Sequence, residues 1–176
     1  MSLVHFDFPA TFRTLYQKGF KLYQEGQRGA GSFFDAHETA WLSANGITTQ
    51  HMYDYAEDDV SDGAPGFGNA LTIETVRRDY FLSVQNGVPS STVLDPSTLP
   101  AKSDEISGIR WLPRIIPKAK AKLRGEMPPS MMYSCGGDRN FFLTNNIMPA
   151  EFLTLVWRHL DNDDAIVAWV KARTQS

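Results

Sequence analysis

Two stretches of the chain, "WLSANGITTQHMYDYA" from Trp41 and "FFLTNNIMPAEFLTLV" from Phe141, superpose without a gap at an offset of 100 residues. Trp41 meets Phe141, Leu42 meets Phe142, Asn45 meets Asn145, Ile47 meets Ile147, Met52 meets Phe152 and Ala56 meets Val156. Each stretch has the pattern of a helix, a tight turn and a second helix. With Thr48 or Met148 as the N-cap, Ile47 and Ile147 stand just before it and Met52 and Phe152 four positions inside. This is the spacing of a hydrophobic staple, which fixes how the chain enters the second helix. Pro149 at the first helical position and Glu151 at the third strengthen the second copy. Each copy is followed by an Asp-rich stretch and a further helix, beginning at Ala70-Leu71 and at Ala165-Ile166. A chain that repeats such a unit is expected to fold into two similar helix-turn-helix halves.

The remaining pattern is also helical. Phe12, Leu15, Tyr16, Phe20, Leu22 and Tyr23 recur at mostly helical spacing between Thr11 and Gln24, and glycines from Gly26 to Gly31 end the run. Ser32 or Asp35 is placed to cap a helix that stops at Asn45-Gly46, and a third helix runs from Thr48 to about Asp58. After the loop "SDGAPGFGN", the segment "ALTIETVRRDYFLSVQNG" reads as a long helix closed by Asn86-Gly87. "GIRWLPRIIPKAKAKLRG" sets Leu112, Ile115, Ile116, Ala119 and Leu123 on one helical face, with Pro117 expected to break or kink it. Helices are expected from Gly137 or Asp138 through Leu143, from Pro149 to His159, and over "DDAIVAWVKAR". No alternating strand pattern stands out, so the expected class is all-α.

A chain of 176 residues with 42% hydrophobic residues can bury one substantial core. The expected organisation is a single domain over 1–176, with an N-terminal helical half at 11–87, a Pro/Ser-rich linker at 88–108 and a C-terminal half at 109–174. Residues 1–100 carry six Lys/Arg against twelve Asp/Glu, and residues 101–176 carry eleven against eight. Net charges of −6 and +3 suggest a homodimer or an electrostatically tuned partner surface. No stretch approaches the roughly 20 apolar residues that span a bilayer, and His5 and Asp7 interrupt the opening where a secretory segment would be continuous. With one cysteine there is no internal disulfide and no multi-cysteine zinc site. A cytoplasmic protein that avoids membranes is the expectation.

The segments "GIRWLPRIIPKAKAKLRGEMP", "MMYSCGGDRNFF" and "DDAIVAWVKAR", in this order and spacing, resemble the bacterial family of domains of unknown function numbered 5069. "ETAWLSANGITTQHMYDYAED" and "VRRDYFLSVQNG" look like the longer variants of that family, so the resemblance covers most of residues 32–173. "WLPR" and "CGGDR" are its more specific elements. The resemblance implies no reaction, cofactor or catalytic residue. Pro117 stands where an acidic or polar residue would be usual, and Asn146 where glycine would be.

Candidate chemistry centres on "MYSCGGDRNFF". Gly136-Gly137 would let the chain turn sharply and aim Asp138 at the free N–H groups of the next helix as its cap, leaving Arg139 to supply positive potential for an anion. Cys135 as a nucleophile would need a thiolate and a histidine in reach, and only His5, His37, His51 and His159 exist. His51, Asp54 and Asp58 share a helical face near His37 and Glu38, but paired Glu-x-x-His motifs are missing and no metal or other cofactor is expected. Arg110, Arg114, Lys118, Lys120, Lys122 and Arg124, beside Trp111, offer a weak nucleic-acid surface or a solvated basic face; the net charge of −3 speaks against a dedicated binder. The expected function is a non-enzymatic interaction or ligand-binding module, its ligand held by Trp111, Arg114, Tyr133, Cys135, Asp138 and Arg139. The competing class is a small-molecule enzyme or sensor built on Tyr133, Cys135 and Arg139, favoured if Trp111, Tyr133 and Cys135 share a cleft.

Overall fold

A computed structural model describes residues 5–174. The described chain is all-α apart from one two-stranded ribbon, and it divides into two compact units between Val88 and Pro89. The N-terminal unit holds α1 (Phe8–Gln24), α2 (Ala36–Ala44), α3 (Thr49–Asp62) and α4 (Phe67–Ser83). The C-terminal unit holds the ribbon β1 (Glu105–Ile106) and β2 (Ile109–Arg110), then α5 (Leu112–Arg124), α6 (Gly136–Thr144), α7 (Pro149–Arg158) and α8 (Asp163–Thr174).

Helix starts follow the caps. Asp35 accepts from the Glu38 backbone N–H while Glu38 accepts from that of Asp35, both at 2.9 Å, so α2 begins on a reciprocal capping box. Thr48 caps α3 through the His51 N–H, and Glu151 reaches back to the Met148 N–H at the start of α7. Ile47, Met52, Ile147 and Phe152 are all buried, as the staple spacing requires. Within each unit the first long helix packs chiefly on the third, α1 on α3 and α5 on α7. Phe12, Leu42, Met52, Tyr55 and Ile73 fill one core, and Leu112, Ile115, Leu123, Phe152, Leu153 and Ile166 the other.

The two hairpin turns share their backbone geometry. Asn45 ends α2 at φ −103°, ψ 8°, and Asn145 ends α6 at φ −99°, ψ 7°. The next residues, Gly46 and Asn146, take φ 71° and 53°. Asn45 Nδ2 donates to the Trp41 carbonyl at 2.8 Å and Asn145 Nδ2 to that of Phe141 at 2.7 Å.

Several sequence expectations need correction. The strand pair exists because Ser107 and Gly108 both take positive φ, 54° and 75°, the geometry of a two-residue hairpin turn. Pro117 does not break α5, which runs as one helix from Leu112 to Arg124 with the proline in its interior. The third helix extends to Asp62, and the fourth starts at Phe67 and ends at Ser83, before Asn86-Gly87. The Pro/Ser-rich stretch lies along the C-terminal unit: the Leu94 N–H donates to the Glu126 carbonyl at 2.8 Å, Ser90 Oγ donates to Glu126 Oε1, and Leu99 is buried.

Candidate functional site

The C-terminal unit contains a buried carboxylate with a full set of donors. Asp138 sits at the third position of α6 and is 0% exposed. Its Oδ1 accepts from Trp111 Nε1 at 3.0 Å, and its Oδ2 accepts from Lys118 Nζ at 2.5 Å and from the Ser134 backbone N–H at 3.0 Å. Lys118, only 3% exposed, also lies 3.5 Å from Cys135 Sγ. A charge pair out of water is tolerated only when its remaining hydrogen-bonding capacity is met, and these donors meet it. Asp138 is therefore not the helix cap that the sequence suggested. Cys135 occupies the N-cap position without a capping hydrogen bond from the helix to its side chain, and the Asp138 carboxylate turns inward to hold Trp111.

Trp111 precedes α5 with φ 74°, ψ −21°, a conformation that a bulky side chain seldom adopts. The indole hydrogen bond to Asp138 helps to hold it there. Close approach of the ring also explains the second glycine of the motif. A Cβ on Gly137 would lie 2.6 Å from Trp111 Cζ2 and 2.7 Å from Cη2. Neither Gly136 nor Gly137 has positive φ; the left-handed residue of this turn is Ser134, at 69°. The glycine pair thus makes room for an indole, and the expected role in unusual backbone angles is corrected.

The other sequence candidates are placed as follows. Tyr133 is buried, donates to the Pro149 carbonyl at 2.8 Å, and has its phenol pKa pushed well up by burial and by the nearby Asp138 charge. Arg139 turns back to the Ser134 carbonyl at 2.9 Å, and Arg114 reaches the Pro100 carbonyl at 2.7 Å. The basic run does not form one exposed row, because Lys118 and Lys122 are buried and Lys120 pairs with Asp163 at 2.6 Å. In the N-terminal unit His51 lies 3.6 Å from Glu74, Asp54 accepts from Gln50, and Glu38 pairs with Lys18. Among the described residues no three His, Cys, Asp or Glu side chains gather around a common point.

Beside Trp111 lies a cleft of about 660 Å³. One wall is Gly108–Trp111, the end of the ribbon; the other is Gly137, Asn140, Phe141, Thr144 and Asn145 of α6 and its turn; Thr174 of α8 completes it. Ligand clefts run from roughly 300 to 1,000 Å³ and combine an apolar or aromatic surface with a few polar groups. The described wall offers two aromatic rings, two amides, two hydroxyls and a guanidinium, and no carboxylate, imidazole or thiol. Of the six sequence candidates, Trp111 lines the cleft and Asp138 holds it in place, whereas Tyr133 and Cys135 are not on the described wall. Sequence reasoning gave Lys118, Gly137 and Asn145 other roles and missed Asn140, Thr144 and Thr174. For Asn145 a signal was present in its alignment with Asn45.

Residues 97–176 match the family model described as a domain of unknown function, DUF5069. The match begins inside the C-terminal unit and covers the ribbon, the buried Lys118–Asp138 pair and the cleft, but not the upstream segments that resemble longer variants. No curated protein and no solved structure matches the chain.

Proposed function

From a chain whose residues 97–176 match DUF5069, we propose a ligand-binding module that holds a small molecule in the cleft beside Trp111 without transforming it. One observation carries this reading. A bulky residue is kept at positive φ, its indole is tied to a fully buried and fully paired carboxylate, and the ring forms part of a cleft wall. Unusual backbone geometry enforced by its surroundings is characteristic of ligand sites. The chemistry of the wall supports binding over catalysis, because no described residue on it is suited to act as nucleophile or general acid–base at neutral pH. The enzyme-or-sensor alternative required Trp111, Tyr133 and Cys135 to share a cleft, and the wall holds only the first.

A thermal-shift screen of small molecules against the full chain and its Thr144→Trp variant tests the proposal. Thr144 is exposed on the cleft wall, so an indole there occupies the space with little effect on the core. Ligands present at about 100 times their Kd should stabilise the wild type by roughly 2.7 kcal/mol, and the variant should lose that gain. Ligands that stabilise both proteins equally would place binding elsewhere.

A further inference from the structure

We infer that the cleft is the position filled in the N-terminal unit by Phe8 and Arg78, and that its ligand is a neutral, planar aromatic heterocycle bearing an exocyclic amino group. This inference rests on the ligand-binding reading above and names the ligand class.

The element boundaries of the two units run in parallel around this point. Helices α2 and α6 start at 36 and 136 and end at 44 and 144, and α3 and α7 start at 49 and 149. Lys18 pairs with Glu38 at 2.5 Å, as Lys118 does with Asp138. The last helices begin at Phe67 and Asp163, an offset of 96, which sets buried Ala70 on buried Ile166 and Arg78 on Thr174.

In the N-terminal unit the Asn45 amide nitrogen is spent on the Trp41 carbonyl, and its Oδ1 accepts from Arg78 Nε at 2.6 Å. The Arg78 guanidinium lies over the Phe8 ring at 4.7 Å, and that ring stacks on Trp41 at 5.6 Å with an interplanar angle of 14°. Asn45 is consequently 1% exposed. In the C-terminal unit the Asn145 amide nitrogen is likewise spent on its own helix, and Phe141 stands in the place of Trp41. At the offsets above, Phe8 falls on Gly108 and Arg78 on Thr174, and both of these small residues line the cleft. Gly108 has left the helical path, with φ 75°, where a phenylalanine would be strained. Among the described residues, neither a ring nor a guanidinium stands at these two positions of the C-terminal unit.

A ligand replacing them presents an aromatic face to Phe141 or Trp111 and an N–H to Asn145 Oδ1. Charge selects among such molecules. Arg78 has His5 Nδ1 at 2.7 Å and Asp79 at 4.0 Å, whereas the described cleft wall holds Arg110 and no carboxylate. A cationic amidine would meet a like charge without a counter-ion, so the donor is a neutral amino group on a heterocycle.

The test is titration of the full-length protein with adenine, unsubstituted purine and benzamidine, read by tryptophan fluorescence and thermal shift. Adenine should bind at least tenfold more tightly than either of the others, because only it combines a neutral amino donor with the stacking ring. Thr174→Arg, which copies Arg78, should weaken adenine at least tenfold. Should that variant fail to fold, Asn145→Ser serves instead, and it should weaken adenine while leaving purine unchanged. Equal binding of adenine and purine, preference for benzamidine, or no binding of adenine would overturn the ligand class. The cleft reading itself falls separately, if a ligand found by the thermal-shift screen is unaffected by both Thr144→Trp and Thr174→Arg.

Discussion

Lys118 Nζ lies 2.5 Å from Asp138 Oδ2, and one hundred residues earlier Lys18 Nζ lies 2.5 Å from Glu38 Oε2. Separation is the same, but surroundings differ. The Lys118–Asp138 side chains are 4% and 0% exposed, while those of Lys18 and Glu38 are 37% and 21% exposed. Lys118→Met leaves a buried carboxylate without its cation and should cost about 3–5 kcal/mol. Lys18→Met removes a pair already solvated and should cost roughly 0–1 kcal/mol. Urea denaturation of the two variants checks this, and equal costs would mean that burial does not distinguish the pairs.

Gly137→Ala should disturb Trp111 more than it disturbs α6. The added methyl meets the far end of the indole, which cannot retreat without lengthening its bond to Asp138. The expected result is unchanged far-ultraviolet circular dichroism, a red-shifted tryptophan emission and weakened ligand binding. Unchanged emission and binding would show that the indole is not fixed by this contact.

Ile47 and Ile147 precede the second helix of their hairpins and are both buried. Replacing either with alanine should destabilise the protein by about 2–4 kcal/mol, the range for deleting most of a buried aliphatic side chain. An unfolding midpoint near that of wild type for one of them would show that its hairpin is held by other contacts.

Alkaline pH should destabilise the fold through its buried tyrosines. Tyr55 is pushed well above the ordinary value of 10.0 by burial and then by Glu74, and Tyr133 by burial and then by Asp138. Tyr16 is raised by burial and by its hydrogen bond to Asp59. The sign follows from linkage: when the folded pKa is the higher one, the stabilisation is complete below the unfolded value near 10 and is lost as pH rises beyond it. Phenolate absorbance should therefore show the buried tyrosines ionising only with loss of helical circular dichroism. Their ionisation near pH 10 in a protein that remains folded would contradict the burial.

The hairpins were legible because their signals are local: helical periodicity, Asp35, Thr48 and Glu151 at capping positions, and Ile47 and Ile147 at the staple. The ribbon was missed because only two residues on each side pair. What the sequence could not show depends on distant contacts. Gly137 is explained by Trp111, and the inward turn of Asp138 by Lys118, neither of which is a near neighbour in sequence. Lys118 and Lys122 read as part of a solvated basic face, because the charge pattern does not say which face of α5 turns inward. The cleft is harder still, since its described walls come from the ribbon, α6 and the end of α8, which lie far apart in sequence.

The presence of a binding site in the Trp111 cleft is open to direct measurement by two-dimensional 1H–15N nuclear magnetic resonance of the full chain, titrated with any compound that raises its melting temperature. The indole N–H of Trp111 and the side-chain amides of Asn140 and Asn145 should move together and saturate at one Kd, while the indole of Trp41 stays still. Saturable shifts confined to Trp41 and its neighbours, or to residues distant from the cleft, would show that the cleft is not where this protein binds its ligand.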